Sequence, residues 1–186
     1  MKDLIRKNRS YRRFDETKKQ TKETLASLVE SARFSPSAGN MQRLRFRLVN
    51  EAEETAYLFD QLAWAGYLKD WPGPETGERP TSYILILSGD DRSAMLDIDI
   101  GIAAQSIMLT AVASGLGGCM LGSFHHERTD ARFATDGYHV RLVLALGVPV
   151  ENVELEDAVE GDIHYYRLAD GTHRVPKLPL STLIIE

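Results

Sequence analysis

Three short stretches of this chain concentrate side chains able to hold a ligand. In Arg9-Ser10-Tyr11-Arg12-Arg13-Phe14, a turn can bring Arg9, Ser10 and Arg12 to one point. Two guanidinium forks and a hydroxyl there suit a phosphate, although a solvated basic run has the same composition. The stretch Pro36-Ser37-Ala38-Gly39-Asn40-Met41-Gln42 offers backbone N–H groups with Ser37, Asn40 and Gln42 side chains. That set can read the polar edge of a heterocycle, or simply end a helix in a turn. The third is Gly115-Leu116-Gly117-Gly118-Cys119-Met120-Leu121-Gly122-Ser123-Phe124, where glycines let backbone approach a flat ligand and amides can donate to developing negative charge. It lacks the Gly-Lys-Ser/Thr ending of a Walker loop and follows a helix, so it is not the dinucleotide fingerprint either. Asp97 with Asp99, His125 with His126, and His139 lack the spacing of a metal site, so no metal is expected. Cys119 has no base beside it in sequence and reads as a packing residue.

The elements that must carry these stretches belong to an ordinary globular chain of 186 residues, 43% hydrophobic, with 22 basic against 27 acidic side chains. That length fits one domain, 1–186. A net charge of −5 gives no global field for nucleic acid or anionic lipid, and a single cysteine points to a reducing compartment. From Ile100 to His126 there is no Asp, Glu, Lys or Arg. Gln105, Ser106, Thr110 and Ser114 within the run, and Gly115, Gly117 and Gly118 breaking it, argue against a membrane span. The N-terminus has no long apolar signal core, so a cytoplasmic protein is expected. A helix apolar almost all round must be buried all round: it is either a central core helix or one whose outer side faces a second subunit.

Periodicity predicts helices over about 2–7, 21–33, 51–68, the uncharged run and 127–133. Strands are predicted at 44–49, 83–87, 118–121 and 140–146, with a less regular tail over the last 35 or so residues. Strands separated by helices suggest an α/β or α+β sandwich, and periodicity does not decide between them.

In order, Arg9-Ser10-Tyr11-Arg12-Arg13-Phe14, Ser35-Pro36-Ser37-Ala38-Gly39-Asn40-Met41-Gln42, Asp99-Ile100-Gly101-Ile102-Ala103-Ala104-Gln105, Gly115-Leu116-Gly117-Gly118, Leu144-Ala145-Leu146-Gly147-Val148-Pro149 and Val175-Pro176-Lys177-Leu178-Pro179-Leu180 resemble the nitroreductase family of flavin enzymes. The ordered set covers nearly the whole chain. It departs from the family's pattern at Asn8 and Leu178, where basic residues are common, and at Arg43, where proline is usual.

The resemblance implies an α+β fold, an α-β-α sandwich whose central, mostly antiparallel sheet is flanked by helices, in an intertwined homodimer with FMN in interface clefts. It places Arg9, Ser10, Arg12 and Lys177 on the FMN phosphate and ribityl chain. Pro36, Ser37, Ala38 and Asn40 would reach the flavin from the partner subunit, with Gln42 close by and Gly117 and Gly118 against the ring. The implied activity is ping-pong: NADH or NADPH gives hydride to flavin N5, and an electron-poor acceptor such as a nitroaromatic or quinone takes the electrons. Flavin carries that chemistry, so no protein acid or base is required. Trp64, Tyr67 and Lys69, ahead of a Pro/Gly excursion, are the candidates for an acceptor-pocket wall. A flavin-processing or dehalogenating member, or a non-catalytic flavin-binding dimer, is the alternative.

Overall fold

The computed structural model describes residues 1–90, 93–135 and 137–185. In chain order the elements are α1 (Lys2–Lys7), α2 (Lys22–Phe34), a 3-10 turn (Ala38–Asn40), β1 (Arg45–Val49), α3 (Ala52–Phe59), β2 (Ser82–Ser88) and α4 (Ala94–Ala113). There follow β3 (Gly117–Leu121), α5 (His126–Phe133), β4 (His139–Gly147), β5 (Val153–Asp157), β6 (Tyr166–Arg167), β7 (His173–Lys177) and α6 (Leu180–Leu183).

The central sheet has the order β1-β2-β4-β3, and each neighbouring pair is antiparallel. Of its two central strands, β2 is buried on both faces, which is why its sequence runs apolar without alternation. Ile84 and Ile86 point to one side, where they meet Leu25 and Leu28 of α2 and Ile100, Ala104, Ile107 and Met108 of α4. Tyr83, Leu85 and Leu87 point to the other, toward Leu58 of α3, Trp64, Phe124 and Phe133 of α5. Two apolar layers therefore sandwich one sheet, the α+β alternative. Helix α2 starts where the sequence predicts, with the Thr21 hydroxyl accepting the Thr24 N–H at 3.2 Å.

Helix α3 ends at Phe59, nine residues before the predicted boundary at 68. The backbone there is drawn into pairing with the segment after β3: Ala63 N–H donates to Ser123 O at 3.0 Å and His125 N–H to Gln61 O at 2.9 Å. Ala65, at φ 38°, then leaves the helical region altogether. The tail is also more regular than its sequence suggests. Strand β7 pairs in parallel with β5 and antiparallel with β6 in a second, three-stranded sheet.

Helix α4 is long and apolar enough to cross a membrane. Here Leu96, Ile100, Ala103, Ala104, Ile107, Met108 and Ala111 bury one side of it against the sheet and α2. The opposite side is not charged: Met95 is 49% exposed and Ile98 51%, with Ile102, Leu109 and Val112 half-buried along the same stripe.

Candidate functional site

The N-terminal segment reaches the site as an extra edge on the sheet. Ser10 bridges Gly118 in parallel, and Tyr11 N–H donates to Gly118 O at 2.9 Å. The next register positions explain the glycine pair. A Cβ on Gly118 would lie 2.2 Å from Ala145 O, and one on Gly117 would lie 2.5 Å from the Pro149 ring and 2.6 Å from Tyr11. Both glycines are required for β3 to seat between β4 and the incoming segment.

A cavity of about 310 Å³ opens between this segment, α4, β3 and β7. Arg9, Ser10, Arg12, Gly118 and Lys177, five of the residues singled out in the sequence, line it together. Asn8 lines it too, its amide 3.4 Å from Gln105 Oε1. Among the described residues no acid lines the cavity. Arg9 sends one nitrogen to Ile5 O at 2.9 Å, and burial lowers its pKa. Arg12 is 9% exposed, with Nη1 3.2 Å from Ser10 O and 3.5 Å from His173 Nε2. The Nε atoms of Arg9 and Arg12 and the Nδ1 of His173 are buried without a partner.

A buried carboxylate lies behind the cavity, not in it. The Glu151 side chain is 1% exposed. Its Oε1 accepts the backbone N–H groups of Arg12 and Arg13, and its Oε2 accepts Arg167 Nη2 at 3.2 Å. His173 lies near both guanidiniums. Burial first, then Arg12 and Arg167, pushes its pKa down to about 4, so the ring is neutral at neutral pH. Tyr165 completes the wall, its ring 5.1 Å from the Arg12 guanidinium carbon and 5.2 Å from the His173 ring.

Sequence reading missed Tyr165 and His173. The signal for His173 was present: in a strand, His173, Val175 and Lys177 share a face, and all three line the cavity. No pattern pointed to Tyr165, which sits beside a two-residue strand.

The second stretch forms a separate feature. Pro36, Ser37 and Gln42 line another cavity, of about 260 Å³, with Arg43 and Asp99, whereas Ala38 and Asn40 lie in the 3-10 turn outside it. Within one chain the loop and the cation-lined cavity share no lining residue. Gly117 is buried under Tyr11 and Pro149 and does not line the larger cavity.

The three pocket-wall candidates separate. Trp64 is core, 5.7 Å from the Phe59 ring and directly beneath Gly73. Lys69 is exposed. Tyr67 is half-exposed and abuts the cavity wall: its N–H donates to Tyr165 Oη at 3.3 Å, and its ring lies 4.8 Å from that of Tyr165.

The profile of the nitroreductase family matches residues 5–148, more than half of the chain, and the chain belongs to that family. Among solved structures it is similar to a nitroreductase family protein from Clostridium difficile 630, with 21% identity over 100% of this chain and 96% of that one at a TM-score of 0.68. It is also similar to the NADPH:FMN oxidoreductase from Vibrio harveyi complexed with NAD+, with 19% identity over 99% and 75% of the two chains and a TM-score of 0.70. An FMN-dependent nitroreductase from Clostridium difficile R20291 shares 19% identity over 87% and 92%, at 0.64. At these identities the likeness is one of fold. Among curated proteins there is no match.

Proposed function

We propose that this chain is one subunit of a homodimeric, cytoplasmic FMN-dependent oxidoreductase that takes electrons from NADH or NADPH and passes them to an electron-poor acceptor such as a nitroaromatic or quinone. The observation that carries this reading is the cation-lined cavity. It has Arg9, Arg12 and Lys177 on its walls, no acid facing it among the described residues, and buried Nε atoms of both arginines without a partner. Such a site is built for a group that brings several negatively charged acceptor oxygens, as a phosphate monoester does.

The FMN-dependent nitroreductase and the NADPH:FMN oxidoreductase among the structural relatives support the choice of flavin and of a nicotinamide donor. When bound, FMN supplies the two-electron chemistry at its N5. The chain's residues bind and orient it. Arg9, Arg12 and Lys177 would hold the phosphate end by charge, with the Ser10 hydroxyl alongside, while Gly118 offers a surface without a side chain. Pro36, Ser37, Ala38, Asn40 and Gln42 of the partner subunit's loop would supply polar contacts from the opposite side. The apolar outward stripe of α4 supports the dimer, because an uncharged exposed helix face is ordinarily covered.

The test is direct. Purified protein is expected to be yellow, to release FMN on denaturation, to bleach anaerobically with NADH or NADPH, and to recover its colour with menadione or a nitroarene. A bound flavin that neither nicotinamide reduces would overturn the catalytic reading in favour of a flavin-binding dimer. Asn8, standing in the cavity wall where a cation is common in the family, is the observation that favours that second reading.

A further inference from the structure

We propose that Asp99 and Arg43 are positioning residues, an ion pair that clamps both ends of the loop between α2 and β1. The inference rests on the flavin reading only for its effect on the cofactor. Three residues of this loop lie in the left-handed region: Gly39 at φ 56°, Asn40 at 55° and Gln42 at 48°. Two of them are not glycine, and such backbone persists only where the surroundings impose it.

Asp99 imposes it from inside the molecule. It sits within α4 and is only 3% exposed, and each of its oxygens reaches the loop. Oδ1 accepts the Ala38 N–H at 2.8 Å, fixing the start of the 3-10 turn. Oδ2 accepts Arg43 Nη2 at 3.1 Å, fixing the residue that follows the loop's last left-handed position, Gln42. Arg43 also donates through Nη1 to Ser93 Oγ at 3.1 Å, so it is anchored just ahead of α4 as well. Between the two anchor points the Gln42 N–H closes onto Ser37 Oγ at 3.3 Å. A buried carboxylate needs a hydrogen-bonded cation, and Arg43, whose side chain is 15% exposed, is the cation this geometry supplies. Asn40 and Gln42, two of the groups assigned to the partner subunit's flavin, lie between the clamped ends, and Ser37 immediately precedes the first.

The clamp can be read without cofactor. In the apoprotein, Arg43→Met should lower the melting temperature, because it leaves the Asp99 carboxylate buried without this cation, and should speed hydrogen exchange of the Ala38 amide at least about tenfold more than that of the core β2 amides. In the cofactor-bound protein, Arg43→Met should weaken FMN binding about tenfold or more and shift the flavin's visible absorption band. Arg43→Lys, which keeps a cation for Asp99, should restore most of both. Asp99→Asn keeps an acceptor for Ala38 but loses the charge, and should fall between wild type and Arg43→Met. Wild-type exchange at Ala38 in the Arg43→Met protein would overturn the clamp. Altered exchange with unchanged FMN affinity and spectrum would overturn its effect on the cofactor. If the wild-type protein binds no FMN, the flavin reading fails and the Ala38 exchange still decides the clamp.

Discussion

Arg12 is held in the cavity wall from three sides, its guanidinium lying between Ser10 O, His173 and the face of Tyr165. Arg12→Ala should weaken FMN binding by the loss of a charge-assisted contact, about 1.5–3 kcal/mol or roughly ten- to hundredfold, measured by fluorescence titration. His173 gives a pH signature. Its pKa is held near 4 in the folded protein, against about 6.5 in an unfolded chain. Between those values the unfolded chain binds a proton that the folded one refuses. Its contribution to stability is therefore complete above about pH 6.5 and is lost as pH falls toward about 4. Thermal melts of His173→Gln should depend less on pH than wild type across that window. An unchanged pH dependence would mean that other groups govern it.

At the scale of elements, the sequence shows some features plainly and hides others for identifiable reasons. Strand β2 and helix α4 were legible because burial on two faces leaves an apolar run that little else explains. The end of α3 was not: residues 51–68 keep helical periodicity, and what stops the helix at Phe59 is backbone pairing with Ser123 and His125, distant in the chain. The second sheet was hidden by charge in Val153-Glu154-Leu155-Glu156-Asp157 and by Pro176 within β7, both poor strand signals. The role of Asp99 was not legible: it sits inside α4, which begins at Ala94, and reaches the loop only in the folded chain. For β3, Gly118→Ala would set a Cβ against Ala145 O. It should lower thermal stability and also release the Ser10–Tyr11 edge that roofs the cavity, so cofactor binding and stability should fall together.

For the whole molecule, the proposed dimer can be tested on α4. Ile107, on the inner side of this helix, is fully buried, and Ile107→Ala should cost about 2–5 kcal/mol of folding stability by denaturant titration. Ile98, on the other side, is half-exposed in the single chain. Ile98→Glu should leave the subunit fold intact by circular dichroism but shift light scattering from dimer to monomer and strip bound flavin. Retention of a flavin-loaded dimer would refute the placement of the interface on that stripe.

Glu151 gives the cavity a further property. One shielded carboxylate joins the Arg12 and Arg13 amides to Arg167, so it holds the N-terminal edge and the second sheet in place from behind. The like charges on the cavity wall are gathered during folding, before any ligand arrives, and a binding anion meets them already oriented. Selectivity should then follow valence. A phosphorylated flavin should be preferred over riboflavin, which has the same ring without the charge. That preference should shrink as salt rises and the Debye length contracts toward about 3 Å near 1 M ionic strength, whereas ring contacts shared by both flavins should be almost indifferent to salt.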